Sequence, residues 1–216
     1  MTQKPPIVVA HRAGSPLTAN DVTHPEWQKA MPVMLARYWS GTFAPVSRQA
    51  EARLLWTPDA LLVRFVCAQS ESLVVRDAPD TSRKVMGLWD YDVCEIFVAP
   101  DAERVEHYYE FEVAPTGEWL DVEINWERGE RKSVWEYASG MKTAARIEEK
   151  RVTILLWLPW AAFGRTPQPG EEWRGNLFRC VGPLGAERGY LAWHPTRAPQ
   201  PDFHVPTAFG SFIFAG

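Results

Sequence analysis

The sequence predicts an all-β fold, an antiparallel β-sandwich with one short helical turn. Short runs of alternating apolar and polar residues recur from residue 49 onward, and many are joined in pairs by turns containing Pro or Gly. Helical periodicity is nearly absent. These features are typical of antiparallel sandwiches rather than of parallel sheets. We expect a single domain over residues 1–216, with residues 1–20 as an N-terminal arm.

The first two hairpins are predicted from paired runs. Residues 52–56 and 61–67 flank a turn in which Pro58 presets the backbone angle and Asp59 can bond its own backbone. Residues 108–114 and 118–125 form the second pair, in which alternate residues of the first strand point to opposite faces. One face of that hairpin should be core and the other wet or ligand-bearing.

A third hairpin is expected at residues 142–148 and 152–158. The next segment, 159–164, begins with Pro and ends with Gly, as a single helical turn does. The remaining strands are predicted at residues 175–181, 189–193 and 211–214.

Composition excludes several classes of protein. The chain is 46% hydrophobic and 23% charged, as in globular proteins, and no segment reaches the roughly 20 apolar residues of a membrane span. The net charge of −4 argues against a nucleic-acid partner. The basic cluster at residues 128–132 is mixed with acids, which predicts a solvated loop. We therefore expect neither a nucleic-acid nor a membrane partner.

Cysteine content and the N-terminus bear on location. Three cysteines, Cys67, Cys94 and Cys180, lie in apolar runs, which predicts buried free thiols. The apolar run at residues 7–10 is shorter than the core of a signal peptide. We expect a cytoplasmic protein as written, or a secreted one if a leader has been removed.

Two long loops carry aromatic residues toward a surface. Residues 69–88 and 195–209 lack a strand pattern, and loops of that length in a compact domain are usually functional or disordered. They lead to Trp89 and contain Phe203. A large ring in a turn-rich stretch beside a strand favours ligand contact, so a binding surface is expected here.

Glu95 is a candidate ligand-binding residue, because it alternates with Phe97 on one strand and an inward carboxylate is costly unless paired or used. The alternative is an ion pair with Arg179 on the strand at residues 175–181.

Four more acids, Glu110, Glu112, Asp121 and Glu123, occupy the polar positions of adjacent predicted strands. Alternation alone predicts solvated edge charges there. If they line a concave face instead, the site is acidic and favours neutral or amino-bearing ligands, or Ca²⁺.

Four separate elements of residues 20–216 resemble family 9 carbohydrate-binding modules of the DOMON-like superfamily. These elements are Trp89-x-x-Asp92-x-x-Glu95-Ile96-Phe97, the run Tyr108 to Val113, Asn176, and Trp193-x-Pro195-Thr196 with Phe203-x-x-Pro206-x-x-Phe209-Gly210.

The resemblance implies a β-sandwich that binds glycan ends without catalysis, with Trp89 and Phe203 clamping the sugar ring and Glu95 bonding its hydroxyls. The other candidate ligand-binding residues are Glu112, Arg179, Asn176 and His204. Such modules usually accompany a catalytic domain or a secretion signal, and whether this chain has a partner enzyme does not follow from the sequence. No cofactor is expected apart from Ca²⁺.

The chain departs from the sugar binders at three positions. Glu112 stands where they carry Arg, Ala114 where they carry Asn, and the second clamp ring is Phe203 instead of Trp. These changes leave the fold prediction intact, but the identity of the sugar does not follow from it.

Two other functions remain open at this point. Some DOMON relatives hold haem b between Met and His, which would fall on Met86 and His204 in an electron-transfer domain. A pair of carboxylates such as Glu95 and Glu112 could hydrolyse a glycoside. A zinc site is not predicted, because His194 and His204 have no third ligand in view.

Overall fold

Two β-sheets joined along one edge make up the protein in the computed structural model, which describes residues 5–216. The strands in this part of the chain are β1 (Ile7–Arg12), β2 (Val33–Leu35), β3 (Arg37–Tyr38), β4 (Ala50–Trp56), β5 (Ala60–Ala68), β6 (Val93–Ala99), β7 (His107–Val113), β8 (Trp119–Glu127), β9 (Glu130–Val134), β10 (Lys142–Glu148), β11 (Arg151–Pro159), β12 (Glu172–Val181), β13 (Gly189–Ala192) and β14 (Gly210–Phe214).

The front sheet has the order β1-β14-β12-β6-β7-β8-β9, with β13 and β3 continuing beside the second half of β12. The back sheet has the order β10-β11-β5-β4, and β2 pairs with β4. Neighbouring strands are antiparallel except at β1, which runs parallel to both β14 and β4 and so joins the two sheets. The all-β antiparallel sandwich predicted from the sequence is confirmed.

The core lies between the inner faces of the sheets. Ile96 and Phe111 of the front sheet belong to the same buried cluster as Phe65 and Ile154 of the back sheet. Each buried side chain of this size contributes roughly 1.5–3 kcal/mol through removal of apolar surface from water. Because strand residues alternate, the neighbours of these residues on β6, β7 and β12 point to the outer face of the front sheet.

All three predicted hairpins are present, as β4–β5, β7–β8 and β10–β11. The predicted helical turn is a 3₁₀ turn at Trp160–Phe163, closed by Gly164 in the left-handed conformation with φ 66°. Further 3₁₀ turns are found at Pro25–Gln28, Val46–Arg48, Leu88–Asp90 and Pro206–Ala208.

Two segments differ from their predictions. Residues 1–20 were expected as an arm, but β1 is an integral strand, and Leu17 with Trp27 covers the outer face of the back sheet. The predicted solvated loop at residues 128–132 contains most of β9, a charged edge strand. The cysteines are buried and free, as predicted. No helix within residues 5–216 is long and apolar enough to cross a membrane.

Candidate functional site

A cavity of about 360 Å³ opens on the outer face of the front sheet. Its walls come from the turn before β6, from β9 and the residues after it, and from the loop at residues 201–204. Around it, the outer face carries a second buried apolar cluster. Its floor is formed by side chains from the central strands, namely Glu95, Phe97, Glu110, Cys180 and Tyr190.

Trp89 stands at the mouth of the cavity with 40% of its surface exposed. The 3₁₀ turn that presents it begins after Gly87, whose φ of 76° suits glycine, and is anchored by the fully buried Leu88. The buried Arg188 donates hydrogen bonds to the carbonyls of Trp89 and Tyr91, both at 2.6 Å. The ring is therefore exposed while its backbone is fixed.

Trp135, just after β9, packs beside Trp89 and is 39% exposed. The ring centroids are 6.2 Å apart with 37° between the planes, which is direct contact and leaves no room for a sugar between them. Lys84 fixes this segment, donating to the Trp135 carbonyl at 3.1 Å while pairing with Asp121 at 2.5 Å. The two indoles form one continuous aromatic wall.

Phe203 also lines the cavity, but it is only 8% exposed. Its ring stacks on Phe178 with centroids 4.1 Å apart and planes 11° apart, and Tyr190 meets it at 6.1 Å. One face of the ring is thus covered by Phe178, and this contact anchors the loop at residues 201–204 on the sheet. The exposed ring predicted at this position is not found; Phe203 offers the cavity little more than a margin of its ring.

His204 lies beside Phe203 and is held in place by its neighbours. Its Nδ1 is 2.8 Å from the Tyr108 hydroxyl, and its ring is tilted over Phe97 at 5.1 Å. Burial, with a smaller contribution from Arg131, lowers the pKa of His204 to about 3, so the imidazole is neutral at pH 7. The side chain cannot act as a permanent cation in this cavity.

The haem ligands predicted as an alternative do not meet. Met86 is exposed and lines a separate depression with Arg76 and Tyr91, whereas His204 faces the cavity. The geometry therefore gives no support to a haem group held between these two residues.

Three buried carboxylates lie together at the floor. Glu95 pairs directly with Glu112 across β6 and β7, and Glu110 is the next outward residue on β7. Glu95 and Glu110 line the cavity, while Glu112 lies beneath it with no exposed surface. One oxygen from each lies within 4.8 Å of the others. Like charges placed directly opposite each other across two strands are destabilising.

Burial and the neighbouring carboxylates both raise the pKa of Glu95 and Glu112. Desolvation, followed by repulsion from Glu110, raises the pKa of Glu95 to about 8. Desolvation raises the pKa of Glu110 to about 7 and that of Glu112 well above its ordinary 4.5. The cavity floor is therefore acidic but only partly ionised at pH 7.

The prediction of solvated edge charges was wrong for three of the four acids concerned. Glu110 and Glu112 are buried on the outer face, and Asp121 is buried on the opposite side of the sheet, paired with Lys84. Glu123 alone is partly exposed, 2.7 Å from His107. Alternation indicates that Glu110 and Glu112 share one face of β7. It does not reveal that other segments cover that face.

Arg179 is placed away from the cavity, because it points between the sheets with Leu177 and Val181. Its Nη1 donates to the carbonyls of Arg48 and Ala68 at 2.7 and 2.8 Å, and its Nη2 bonds Gln69. The alternative ion pair with Glu95 is also wrong, since Glu95 points to the other face. Arg179 ties the two sheets together.

Asn176 lies on the outer face but does not line the cavity. Its amide nitrogen donates to the His194 carbonyl at 2.8 Å, and its oxygen accepts from the His194 backbone at 3.1 Å. It holds the segment that follows β13 and has its polar atoms committed to the backbone.

The cavity is also lined by four residues that were not predicted from the sequence, namely Trp135, Arg131, Ser133 and Tyr190. Arg131 and Ser133 are separated by two on β9, so period-two alternation could have identified them if that charged segment had been taken as a strand. Trp135 and Tyr190 carried no signal that distinguished them from core aromatics.

Glu95 and Glu112, the pair considered for glycoside hydrolysis, lie side by side on neighbouring strands, and Glu112 has no exposed surface with which to reach a substrate. A rigid aromatic surface beside fixed hydrogen-bonding groups is instead suited to holding a polar ring.

The chain is similar to known carbohydrate-binding proteins. The family model described as "Carbohydrate-binding family 9" matches residues 28–214. A solved structure of a proposed carbohydrate-binding protein from Bacteroides uniformis is similar, with TM-score 0.77 and 17% identity over 98% of this chain and 100% of the other. No curated protein matches the chain.

Two solved structures of a family 9 module from Caldicellulosiruptor kristjanssonii are also similar. The complex with cellotriose gives TM-score 0.69 and 13% identity over 98% of this chain and 94% of the other. The complex with glucose gives 0.65 and 14% over 98% and 96%. At sequence identities this low, the TM-scores show a shared fold and no more. The family model, however, covers most of the chain. The chain belongs to carbohydrate-binding family 9.

Proposed function

We propose that this protein binds a saccharide in the cavity on the outer face of the front sheet, and that it does so without catalysis. The observation that carries the proposal is the exposed Trp89 ring, whose backbone Arg188 fixes at the mouth of a cavity floored by Glu95. Membership of family 9 supports the same conclusion, as do the similar modules solved with cellotriose and glucose.

A pyranose has an apolar face of C–H groups and a rim of hydroxyls. The C–H face would pack on Trp89, with Trp135 extending the same wall. The hydroxyls would bond to the carboxylates of Glu95 and Glu110 on the floor and to the positively charged Arg131 in the cavity wall. Phe203 would contribute an edge contact, so the aromatic clamp is asymmetric.

Cavity size and charge limit the ligand. A volume of about 360 Å³ lies at the lower end of the roughly 300–1,000 Å³ of small-molecule sites, which suits one or two sugar units. At roughly 0.3 kcal/mol per heavy atom, a disaccharide of about 23 atoms gains about 7 kcal/mol, a Kd on the order of 10 μM. The acidic floor favours neutral or amino sugars over uronic acids.

Calorimetric titration with a panel of saccharides tests the proposal. The panel contains glucose, cellobiose and other neutral mono- and disaccharides, an amino sugar, and a uronic acid. We expect 1:1 binding of at least one neutral or amino sugar with a Kd below about 1 mM, and weaker binding of the uronic acid. Absence of heat from every neutral and amino sugar at millimolar concentration would contradict the proposal.

A further inference from the structure

Buried carboxylates elsewhere in the protein have strong hydrogen-bond donors. Glu118 accepts from Arg76 at 3.0 Å and from the Asp80 backbone at 3.0 Å. Asp121 pairs with Lys84 and accepts from the Ser139 backbone at 2.7 Å. This is the usual state of buried acids, because an unpaired buried charge is costly.

The carboxylates beneath the cavity lack such donors. Glu112 is fully buried, and neither of its oxygens has a hydrogen-bond partner among residues 5–216, unless it shares a proton with Glu110. Glu95 is met only by the weak thiol donor of Cys180 at 3.5 Å. Glu110 is 3.8 Å from Nε2 of the neutral His204, which is longer than a hydrogen bond.

Arg188 and Arg131 lie near this group, but among residues 5–216 neither forms a salt bridge with it. Arg188 donates to the carbonyls of Gly182, Trp89 and Tyr91. Arg131 lies at the exposed rim of the cavity on the edge strand β9. Up to three negative charges on Glu95, Glu110 and Glu112 thus converge on one point without a bonded cation among the described residues.

The spacing of the three oxygens suits one ion. Since the three oxygens all lie within 4.8 Å of one another, one point lies no more than about 2.8 Å from each of them, close to the roughly 2.3–2.6 Å of Ca²⁺–oxygen bonds. Carboxylate oxygens are hard ligands, and each can bind Ca²⁺ through one or both atoms. Mg²⁺ would require distances of about 2.0–2.1 Å and a stricter octahedron.

We propose that Glu95, Glu110 and Glu112 hold a divalent cation of the Ca²⁺ type at the base of the cavity. Glu112 supplies the buried ligand, and Glu95 and Glu110 supply ligands from the cavity side. Positions facing the cavity are completed by water. This site does not depend on the proposed saccharide function, because the ion is held by protein carboxylates alone.

Titration of the chelator-treated full chain with CaCl₂ alone tests the proposal, using calorimetry and thermal unfolding. We expect one Ca²⁺ per chain. At 100 times its Kd, Ca²⁺ should raise Tm by about 5–10 °C, given the usual sensitivity of Tm for a protein of this size. If calorimetry gives no heat and Tm is the same in Ca²⁺ and in chelator, the cluster is held by shared protons and the proposal is overturned.

Matched variants locate the ion. Glu112→Gln removes one buried ligand while keeping the side-chain shape, and we expect at least a tenfold loss of Ca²⁺ affinity together with a higher Tm in chelator. Glu123→Gln, a partly exposed acid on the other face of β8, should leave Ca²⁺ affinity unchanged. Full affinity retained in both Glu112→Gln and Glu110→Gln would overturn the assignment, because the ion would then bind elsewhere.

Saccharide titration in chelator and in Ca²⁺ separates this proposal from the proposed function. Loss of sugar binding in every condition with Ca²⁺ binding retained contradicts only the saccharide site. Sugar binding without any response to Ca²⁺ contradicts only the cation site.

Discussion

The two faces of the front sheet differ in how they accommodate buried charged groups. On the inner face, Arg179 bonds backbone carbonyls and Gln69, and Asp121 is paired with Lys84. On the outer face, the neutral Asn176 is bonded to the backbone, but Glu112 has no partner among residues 5–216 apart from a proton that it can share with Glu110. Both faces desolvate their charged groups, but within the described residues the outer carboxylates have no bonded cation. The difference indicates that the inner groups maintain the fold, while the outer groups are arranged for something that the protein binds.

Removal of the inner guanidinium should give the largest effect. Arg179→Met leaves the carbonyls of Arg48 and Ala68 and the Gln69 side chain without their donor, so we expect a loss of about 3–5 kcal/mol in unfolding free energy. Urea denaturation measures it. Sugar affinity of the folded fraction should be unchanged; a variant of normal stability that no longer binds sugar would contradict the comparison.

Replacement of Trp89 and of Phe203 by leucine should show that the two rings predicted as a clamp contribute unequally to saccharide affinity. Trp89→Leu removes the exposed ring and should weaken saccharide binding by about 2 kcal/mol, roughly 30-fold, since aromatic contacts at the centre of a site carry much of its energy. Phe203→Leu keeps the buried anchor apolar and should change affinity less than about threefold, at a stability cost below about 1.5 kcal/mol.

Calorimetry on both variants measures these differences. Phe43→Ala serves as a control, because Phe43 is an exposed ring outside the cavity. Equal losses of affinity in Trp89→Leu and Phe203→Leu would instead favour a symmetric clamp.

The stability that the outer carboxyls contribute without metal should fall between pH 7 and pH 9. Burial raises the pKa of Glu95 to about 8 and that of Glu112 well above 4.5, so these two groups bind more protons in the folded than in the unfolded state in this window. Their contribution to the unfolding free energy therefore decreases as pH rises, by about 1–2 kcal/mol, whereas the hydrogen bond with Cys94, which lowers the pKa of Cys67 to about 7, makes that thiol act in the opposite direction. The depressed pKa of His204 acts only below about pH 6.5, where the unfolded chain gains a proton.

Denaturation in chelator at several pH values measures this slope. Glu112→Gln should flatten it, because one of the opposed carboxyls no longer ionises, whereas Glu123→Gln should retain it. An unchanged slope in Glu112→Gln would show that the outer acids are not the source.

A rim charge should have the smallest effect. Arg131 lies exposed at the cavity wall, so Arg131→Gln should change saccharide affinity by less than about 1 kcal/mol and leave stability within about 0.5 kcal/mol. Calorimetry and urea denaturation measure both. A loss of more than tenfold in affinity would make Arg131 a principal ligand contact.

Apolar runs joined by short turns were sufficient to predict the hairpins, although β5 and β11 are buried on both faces and β10 has no buried residue. Arg179 was wrongly predicted as a ligand contact or a partner of Glu95, although Leu177 and Val181, two apolar residues at the same spacing, share its inner face. Prediction from apolar runs failed for β9, since an edge strand rich in charge has no apolar stripe to detect.

Site residues could be predicted from the sequence only where they belong to a local sequence motif. Trp89 and Glu95 follow from the sequence around the turn and β6. The burial of Glu110 involves the loop at residues 201–204, which is distant in sequence and brings His204 to 3.8 Å from its carboxylate. The covered face of Phe203 depends in the same way on Phe178. Such contacts arise from tertiary packing and leave no periodic signal.

Calorimetric titration of the wild type and Trp89→Ala, each with the tightest neutral or amino sugar of the panel, decides whether the exposed indole builds the saccharide site. We expect a Kd on the order of 10 μM to 1 mM for the wild type and a loss of at least tenfold in the variant, with the same urea midpoint. Equal affinity in the two proteins would contradict a saccharide site built on Trp89.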